Sequence, residues 1–168
     1  KKNSYIKTLS YMDALSKIEL DIIGEPIIDE YIFGEMVGYT SKDPALSLLK
    51  KNKKTLSGGA IAIAKIISNF VKKVNFYTYG PEKKLKNFLS KNKNIQLINI
   101  SKKLIIQKKI RYLNSNRYEK IMQITNILKN KIEDKIYDNI FEKIKKSKKK
   151  HILICDYGID LFNKKMIT

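Results

Sequence analysis

Cysteine and histidine are almost missing from this sequence: Cys155 and His151 are the only copies among 168 residues. One thiol cannot close an internal disulfide, and its place in an apolar run fits a packed thiol in a reducing compartment. His151 has no second ligand at metal spacing, which argues against a metal site. Arginine is scarce too, present only as Arg111 and Arg117, although Lys and Arg together number 35 against 16 Asp and Glu, for a formal charge of +19. A nucleic-acid reader would be expected to use arginine forks on phosphate and guanine. Lysine spread over nearly every segment, beside abundant Asn, Ile and Tyr, reads instead as compositional drift on a solvated surface. Specific nucleic-acid binding is therefore not expected, and polyanion binding through the lysine surface is kept as a lesser reading.

No run approaches the roughly 20 apolar residues of a membrane span, and the Lys-rich start lacks the apolar core of a signal peptide. A soluble, cytoplasmic protein with no membrane partner is expected. Neither GxxxxGK[ST] nor GxSxG occurs, so no phosphate loop or nucleophile elbow is present. The chain begins with Lys1 rather than Met and is read as starting inside a longer product. It is long enough for one domain burying roughly two thirds of its unfolded surface.

Residues 5–18 carry Ile6, Leu9, Met12, Leu15 and Ile18 at spacings of three, a helical stripe read as a linker or adaptor (residues 1–18) ahead of a domain at residues 19–168. Strands are predicted at Leu20–Gly24, Ile28–Met36, Ala45–Leu49, Val74–Tyr79, Ile95–Ile100 and His151–Cys155. Lys50–Lys54 reads as a solvated charge run. Helices are predicted at Gly59–Val71, where almost every residue is apolar or small, at Glu82–Ser90, and at Asn130–Lys146 with Ile132, Ile136, Ile140 and Ile144 on one face. A further helix is read from Leu161 onward. Leu104–Leu113 and Tyr118–Ile124, joined by Asn114-Ser115-Asn116, form a hairpin distinct from the central sheet. Strand, helix, strand with short connections signals a parallel α/β sheet.

Ligands of such sheets bind beyond the carboxyl ends of the strands. Gly24, Glu25, Asp29, Gly80 and Asp156 stand there. Glu25 and Asp29 are candidates to accept hydrogen bonds from vicinal hydroxyls of a sugar, or are ordinary loop carboxylates. Gly58 and Gly59 open an apolar helix, which suits either a tight turn or a backbone cradle for hydroxyls or phosphate. Lys109 and Arg111 share the polar face of the hairpin and are candidates to grip a substrate phosphate, with Asp156 as a strand-end contact.

Ile22-Ile23-Gly24-Glu25-Pro26-Ile27-Ile28-Asp29-Glu30-Tyr31, then Ser41-Lys42-Asp43-Pro44, Ser57-Gly58-Gly59-Ala60 and Ile154-Cys155-Asp156-Tyr157-Gly158 together resemble the ribokinase-type (PfkB) carbohydrate kinases. The nearest branch is the heptose-phosphate kinase domain of ADP-heptose synthases and related cytidylyltransferase-fused kinases. The resemblance runs from about Leu20 to the end and covers the N-terminal half of that fold. It implies an α/β sandwich with a mostly parallel sheet, helices on both faces and a small β lid, missing its C-terminal part. It also implies ATP and Mg2+ as cofactors and a phosphorylated sugar as substrate. Asp29 would hold sugar hydroxyls, Gly58 and Gly59 would present backbone N–H groups, and Glu25 stands where the family often has Asp. Ala62 departs from the Asn common in this branch. The family's catalytic aspartate and anion hole would follow Thr168, so the chain alone is expected to turn over nothing. An upstream nucleotidyltransferase-like domain and self-association are expected as partners. A non-catalytic binding or assembly module of the same fold is the alternative.

Overall fold

The computed structural model describes residues 10–126, 132–147, 151–159 and 161–162. A first helix, α1 (residues 10–16), leads into β1 (Glu19–Gly24). β1 lies between β4 (Lys73–Thr78) and β8 (Ile152–Cys155), and β5 (Ile95–Asn99) pairs on the far side of β4. All of these pairings are parallel, in the order β5-β4-β1-β8. A parallel sheet must be covered on both faces, and β1 and β4 therefore carry unbroken buried residues from Asp21 to Gly24 and from Val74 to Thr78.

Two cores cover the two faces. On one, α2 (Gly59–Ile67) and α3 (Glu82–Leu89) pack Ala60, Ile61, Ala64, Leu85 and Leu89 against Ile22, Val74 and Phe76. On the other, α4 (Asp134–Ser147) brings Ile140 against Ile23, Tyr77 and Tyr79. The end of α4 is pinned by a fully buried carboxylate: Asp21 accepts hydrogen bonds from Asn75 Nδ2 at 2.8 Å and Ser147 Oγ at 2.5 Å. Pairing of this kind is what allows a carboxylate inside a parallel sheet.

A second sheet stands beyond the carboxyl end of β1. The chain passes from β1 through Glu25 alone into β2 (Pro26–Tyr39), which pairs antiparallel with β3 (Leu46–Gly58) and parallel with β6 (Gln107–Asn114); β6 pairs antiparallel with β7 (Lys120–Asn126). The order is β3-β2-β6-β7. The expected hairpin is present, but as half of a four-stranded lid: its first strand starts at Gln107 rather than Leu104.

Lys50–Lys54, read as a solvated charge run, belongs to β3, which runs unbroken from Leu46. Cross-strand carboxylates explain why lysines accept a strand here: Lys53 pairs with Glu30 at 2.9 Å and Lys51 with Glu35 at 3.2 Å. The helix expected to reach Val71 stops at Ile67, where Ser68 Oγ turns back to the Lys65 carbonyl at 2.8 Å. Residues 161–162 are not helical, and the remainder of the helix read from Leu161, like residues 1–9 of the adaptor stripe and residues 130–131, lies outside the described residues. Leu15, Ile18, Leu20, Ile67, Phe70, Val71 and His151 line an apolar hollow of about 350 Å³ where α1 meets the domain.

Candidate functional site

The lid, the start of α2 and the loop after β8 converge at the carboxyl end of β1. Gly59 is the hinge of this arrangement. Its φ is +54°, a left-handed conformation, and a Cβ there would stand 2.6 Å from the Glu25 carbonyl oxygen, which accepts the Ala60 N–H at 2.9 Å. Gly58 has an extended backbone, φ −122° and ψ −172°, so its lack of a side chain has a different reason. A Cβ on Gly58 would stand 2.2 Å from Asp29 Oδ2. The carboxylate of Asp29 occupies the space that any other residue at position 58 would fill.

Asp29 leaves β2 on the lid face that also carries Tyr31 and Phe33, because alternate residues of a strand share a face. β6 sets Lys109 opposite Asp29 and Arg111 opposite Tyr31. Arg111 Nη1 donates to Asp29 Oδ1, its Nε donates to Gln123 Oε1 at 3.1 Å, and its guanidinium lies 5.3 Å from the centre of the Tyr31 ring. Asp29 and Arg111 side chains are only 19% and 22% exposed, so this pair is held in a largely desolvated setting. Among the described residues Lys109 has no ion-pair or hydrogen-bond partner. It and Lys54, opposite Tyr31 on β3, are the unpaired cations of that face.

The sequence-selected residues therefore divide. Asp29, Gly58, Lys109 and Arg111 meet on the inner side of the lid, with Gly59 directly beneath. Arg111 does not stand free for a phosphate; it fixes the rotamer of Asp29. Glu25 points elsewhere, fully buried, and its carboxylate accepts the N–H groups of Tyr157 at 2.7 Å, Ile159 at 2.9 Å and Leu161 at 2.8 Å. The reading of Glu25 as a sugar contact gives way to that geometry: the residue that follows β1 is buried and organises the loop following β8. Asp156 is exposed and its Oδ1 accepts the Gly158 N–H at 2.8 Å, so it shapes the turn in which it sits.

That loop brings Tyr157 to the site, a residue within the sequence motif but not among the expected contacts. Burial pushes its hydroxyl above the ordinary phenol range, and the charges of Cys155 and Asp29 push the same way. Tyr31 and Gln123 also escape the sequence reading. The period of two from Asp29 gives Tyr31, but Gln123 follows only from the β6–β7 register. Lys65 Nζ donates to Ser57 Oγ at 3.1 Å, tying the body of α2 to the strand that precedes the glycines.

No protein-family model matches the sequence, and no curated protein matches it. Solved structures do. Phosphofructokinase-2 from Escherichia coli in complex with substrates and products superposes with a TM-score of 0.60 at 13% identity, over 83% of this chain and 44% of that one. A protein assigned as a phosphofructokinase from Staphylococcus aureus gives 0.55 at 15% identity, over 76% and 40%. One assigned as a sugar kinase from Clostridium perfringens gives 0.51 at 16%, over 76% and 41%. The chain thus spans less than half the length of the structures it matches. No helix among the described residues is long and apolar enough to cross a membrane. At these identities the likeness is one of fold: the chain has the ribokinase-like α/β fold of the PfkB-type sugar kinases.

Proposed function

We propose that this chain is the sugar-binding part of an ATP-dependent carbohydrate kinase whose substrate is a phosphorylated sugar of the hexose or heptose class. The observation that carries the reading is the contact of Asp29 with Gly58. A carboxylate is held by an arginine, over a backbone stripped of side chains, at the mouth of a helix N-terminus. A charged acceptor fixed in this way suits vicinal hydroxyls, which donate to it. Lys109 supplies positive charge beside the ring. Glu25 and Asp156 act through the loop they shape, which delivers Tyr157 to the rim. The fold neighbours include phosphofructokinase-2 in complex with fructose-6-phosphate.

Phosphoryl transfer rests on positioning and on stabilising charge at the moving phosphoryl group. Among the described residues no group of three or more His, Cys, Asp or Glu stands where it would hold a metal ion. The proposal gives these residues the sugar and leaves ATP, Mg2+ and the transfer step to the whole protein, as the family resemblance implies; on this reading the chain by itself binds sugar and phosphorylates none. The nucleotidyltransferase-like partner domain and self-association belong to the same proposal. For self-association, the lid face opposite Asp29 leaves Leu46, Met122 and Ile124 exposed at 43%, 50% and 44%; one neighbour is the tetrameric inhibited form of phosphofructokinase-2.

Calorimetric titration with a panel of hexose and heptose phosphates tests the reading. One member is expected to bind, and Asp29→Asn is expected to weaken it about tenfold or more, the loss of a charge-assisted acceptor. Equal affinity of the variant would remove Asp29 from the site.

A further inference from the structure

On the face of the central sheet that α4 covers, the last turn of that helix, β4 and β5 enclose a hollow of about 410 Å³. Lys73, Asn75 and Tyr77 alternate along β4 and so share this face. Gln96 stands beside Asn75 on β5, and α4 contributes Lys143, Lys146 and Ser147. Lys73 opens β4, which puts the hollow toward the amino half of the sheet, whereas Asp29 and Gly58 lie beyond the carboxyl end of β1.

Three ammonium groups meet here without a counter-ion. Elsewhere the chain meets its lysines with carboxylates: Glu30 takes Lys53 and Lys108, and Glu82 takes Lys86 and Lys102. Lys73, Lys143 and Lys146 have no ion-pair or hydrogen-bond partner among the described residues. Glu19, opposite Lys73, pairs with Lys72 at 3.0 Å, and Glu142, one turn before Lys146, makes no ion pair with it. Asp21 lies behind the wall, fully buried, with its oxygens taken by Asn75 and Ser147. Tyr77 adds no charge, because burial and then the Asp21 carboxylate push its hydroxyl above the ordinary phenol range. The helix dipole accounts for lysine in the last turn of α4, where Lys145 and Lys146 stand, but not for Lys73 or Lys143. Like charges three apart on a helix repel, as Lys143 and Lys146 must.

We propose that this hollow binds a compact diphosphate group, held by Lys73, Lys143 and Lys146 with the Gln96 amide as a further donor. Lysine meets phosphate as a point charge, and a ligand lying between β4 and α4 neutralises all three at once. A single phosphate group carries about −1.5 to −2 near neutral pH, less than the lysines offer, whereas two linked phosphates match them. A nucleic-acid backbone calls for cations along a track rather than around one hollow. The bound group joins the last turn of α4 to β4, beside the hydrogen bond by which Ser147 already ties that turn to Asp21. The site is independent of the sugar-binding reading, and either can fail without the other.

Amide NMR titration of the chain with pyrophosphate, in about 0.15 M salt to screen diffuse attraction, tests the site. Saturable shifts are expected at Lys73, Asn75, Gln96, Lys146 and Ser147, with inorganic monophosphate at least about tenfold weaker. Lys143→Gln and Lys146→Gln should each weaken pyrophosphate about fivefold to tenfold, Lys143→Arg should retain it, and Lys83→Gln on α3 should leave it unchanged. Because each glutamine removes a like charge that has no partner, both variants should unfold in urea at a midpoint no lower than the parent's. Uridine diphosphate binding as tightly as pyrophosphate would place the group within a nucleotide, and weaker binding would make the free diphosphate the ligand. Non-saturating shifts, or equal losses in Lys143→Gln and Lys83→Gln, overturn the site. A single-stranded oligonucleotide that shifts the same amides at lower concentration than pyrophosphate overturns it in favour of a nucleic-acid surface.

Discussion

Gly58→Ala isolates one contact. The backbone at position 58 is ordinary extended chain, φ −122°, so alanine brings no conformational strain. In isolation it should even stabilise by about 0.4–1 kcal/mol through a less flexible unfolded chain. Its Cβ, however, would lie 2.2 Å from Asp29 Oδ2 and 3.0 Å from Asp29 Cγ. The carboxylate must move by about an ångström to restore van der Waals contact, and that movement takes it off Arg111. Loss of a charge-assisted bond between two mostly buried groups costs about 1.5–3 kcal/mol. Net destabilisation of about 1–2 kcal/mol is expected, read as a lower midpoint in urea with an unchanged slope. The decisive measurement is a double-mutant cycle with Asp29→Ala. Once the carboxylate is gone, Gly58→Ala should become neutral or stabilising, giving a coupling energy of about 1–3 kcal/mol. If alanine at position 58 costs the same in both backgrounds, the proposed dependence of Asp29 on Gly58 is wrong, and with it the built character of the cradle.

Glu25→Gln should destabilise by about 2–4 kcal/mol, because an amide presents a donor to N–H groups that the carboxylate now accepts; hydrogen exchange should speed up first at Tyr157, Ile159 and Leu161, and uniform exchange across the chain would contradict the assignment of Glu25 to that loop. Glu30, buried at 6% exposure, is held below its ordinary value of 4.5 by hydrogen bonds from Lys108 and Lys53, against the opposing effect of burial. A carboxylate whose folded pKa is depressed adds stability above its unfolded pKa and loses it as pH falls through the folded value. The advantage of the parent over Glu30→Gln in urea denaturation should therefore shrink on going from about pH 7 to about pH 2, and an advantage that grows toward acid would refute the assignment.

Local chemistry made much of this fold legible. The strand-like runs around Ile22-Ile23 and over Val74–Tyr79 marked strands that the structure buries, and Gly59 marked a turn that needs positive φ before an apolar helix. Where the sequence misled, a partner distant along the chain decided the matter. The run Lys50–Lys54 is exposed as expected, yet β2 supplies the pairing and the carboxylates that make it part of a strand, which the run alone does not show. Glu25 and Asp29, four apart, look like a pair, yet Glu25 at the end of β1 is buried under the β8 loop while Asp29 turns to Arg111.

What the sequence by itself determined was the set of elements, their α/β class and the place of the glycine pair, because these follow from side-chain period and backbone freedom within a few residues. Tertiary structure alone decided what each charged group does. The parallel pairing of β2 with β6 spans about eighty residues of chain, and it is this pairing that puts Arg111 on Asp29 and leaves Lys54 and Lys109 unpaired, while the β1–β8 pairing brings in the loop that turns Glu25 inward. Charge roles depend on desolvation and on which opposite charge lies within a few ångströms, quantities that no short stretch of sequence contains.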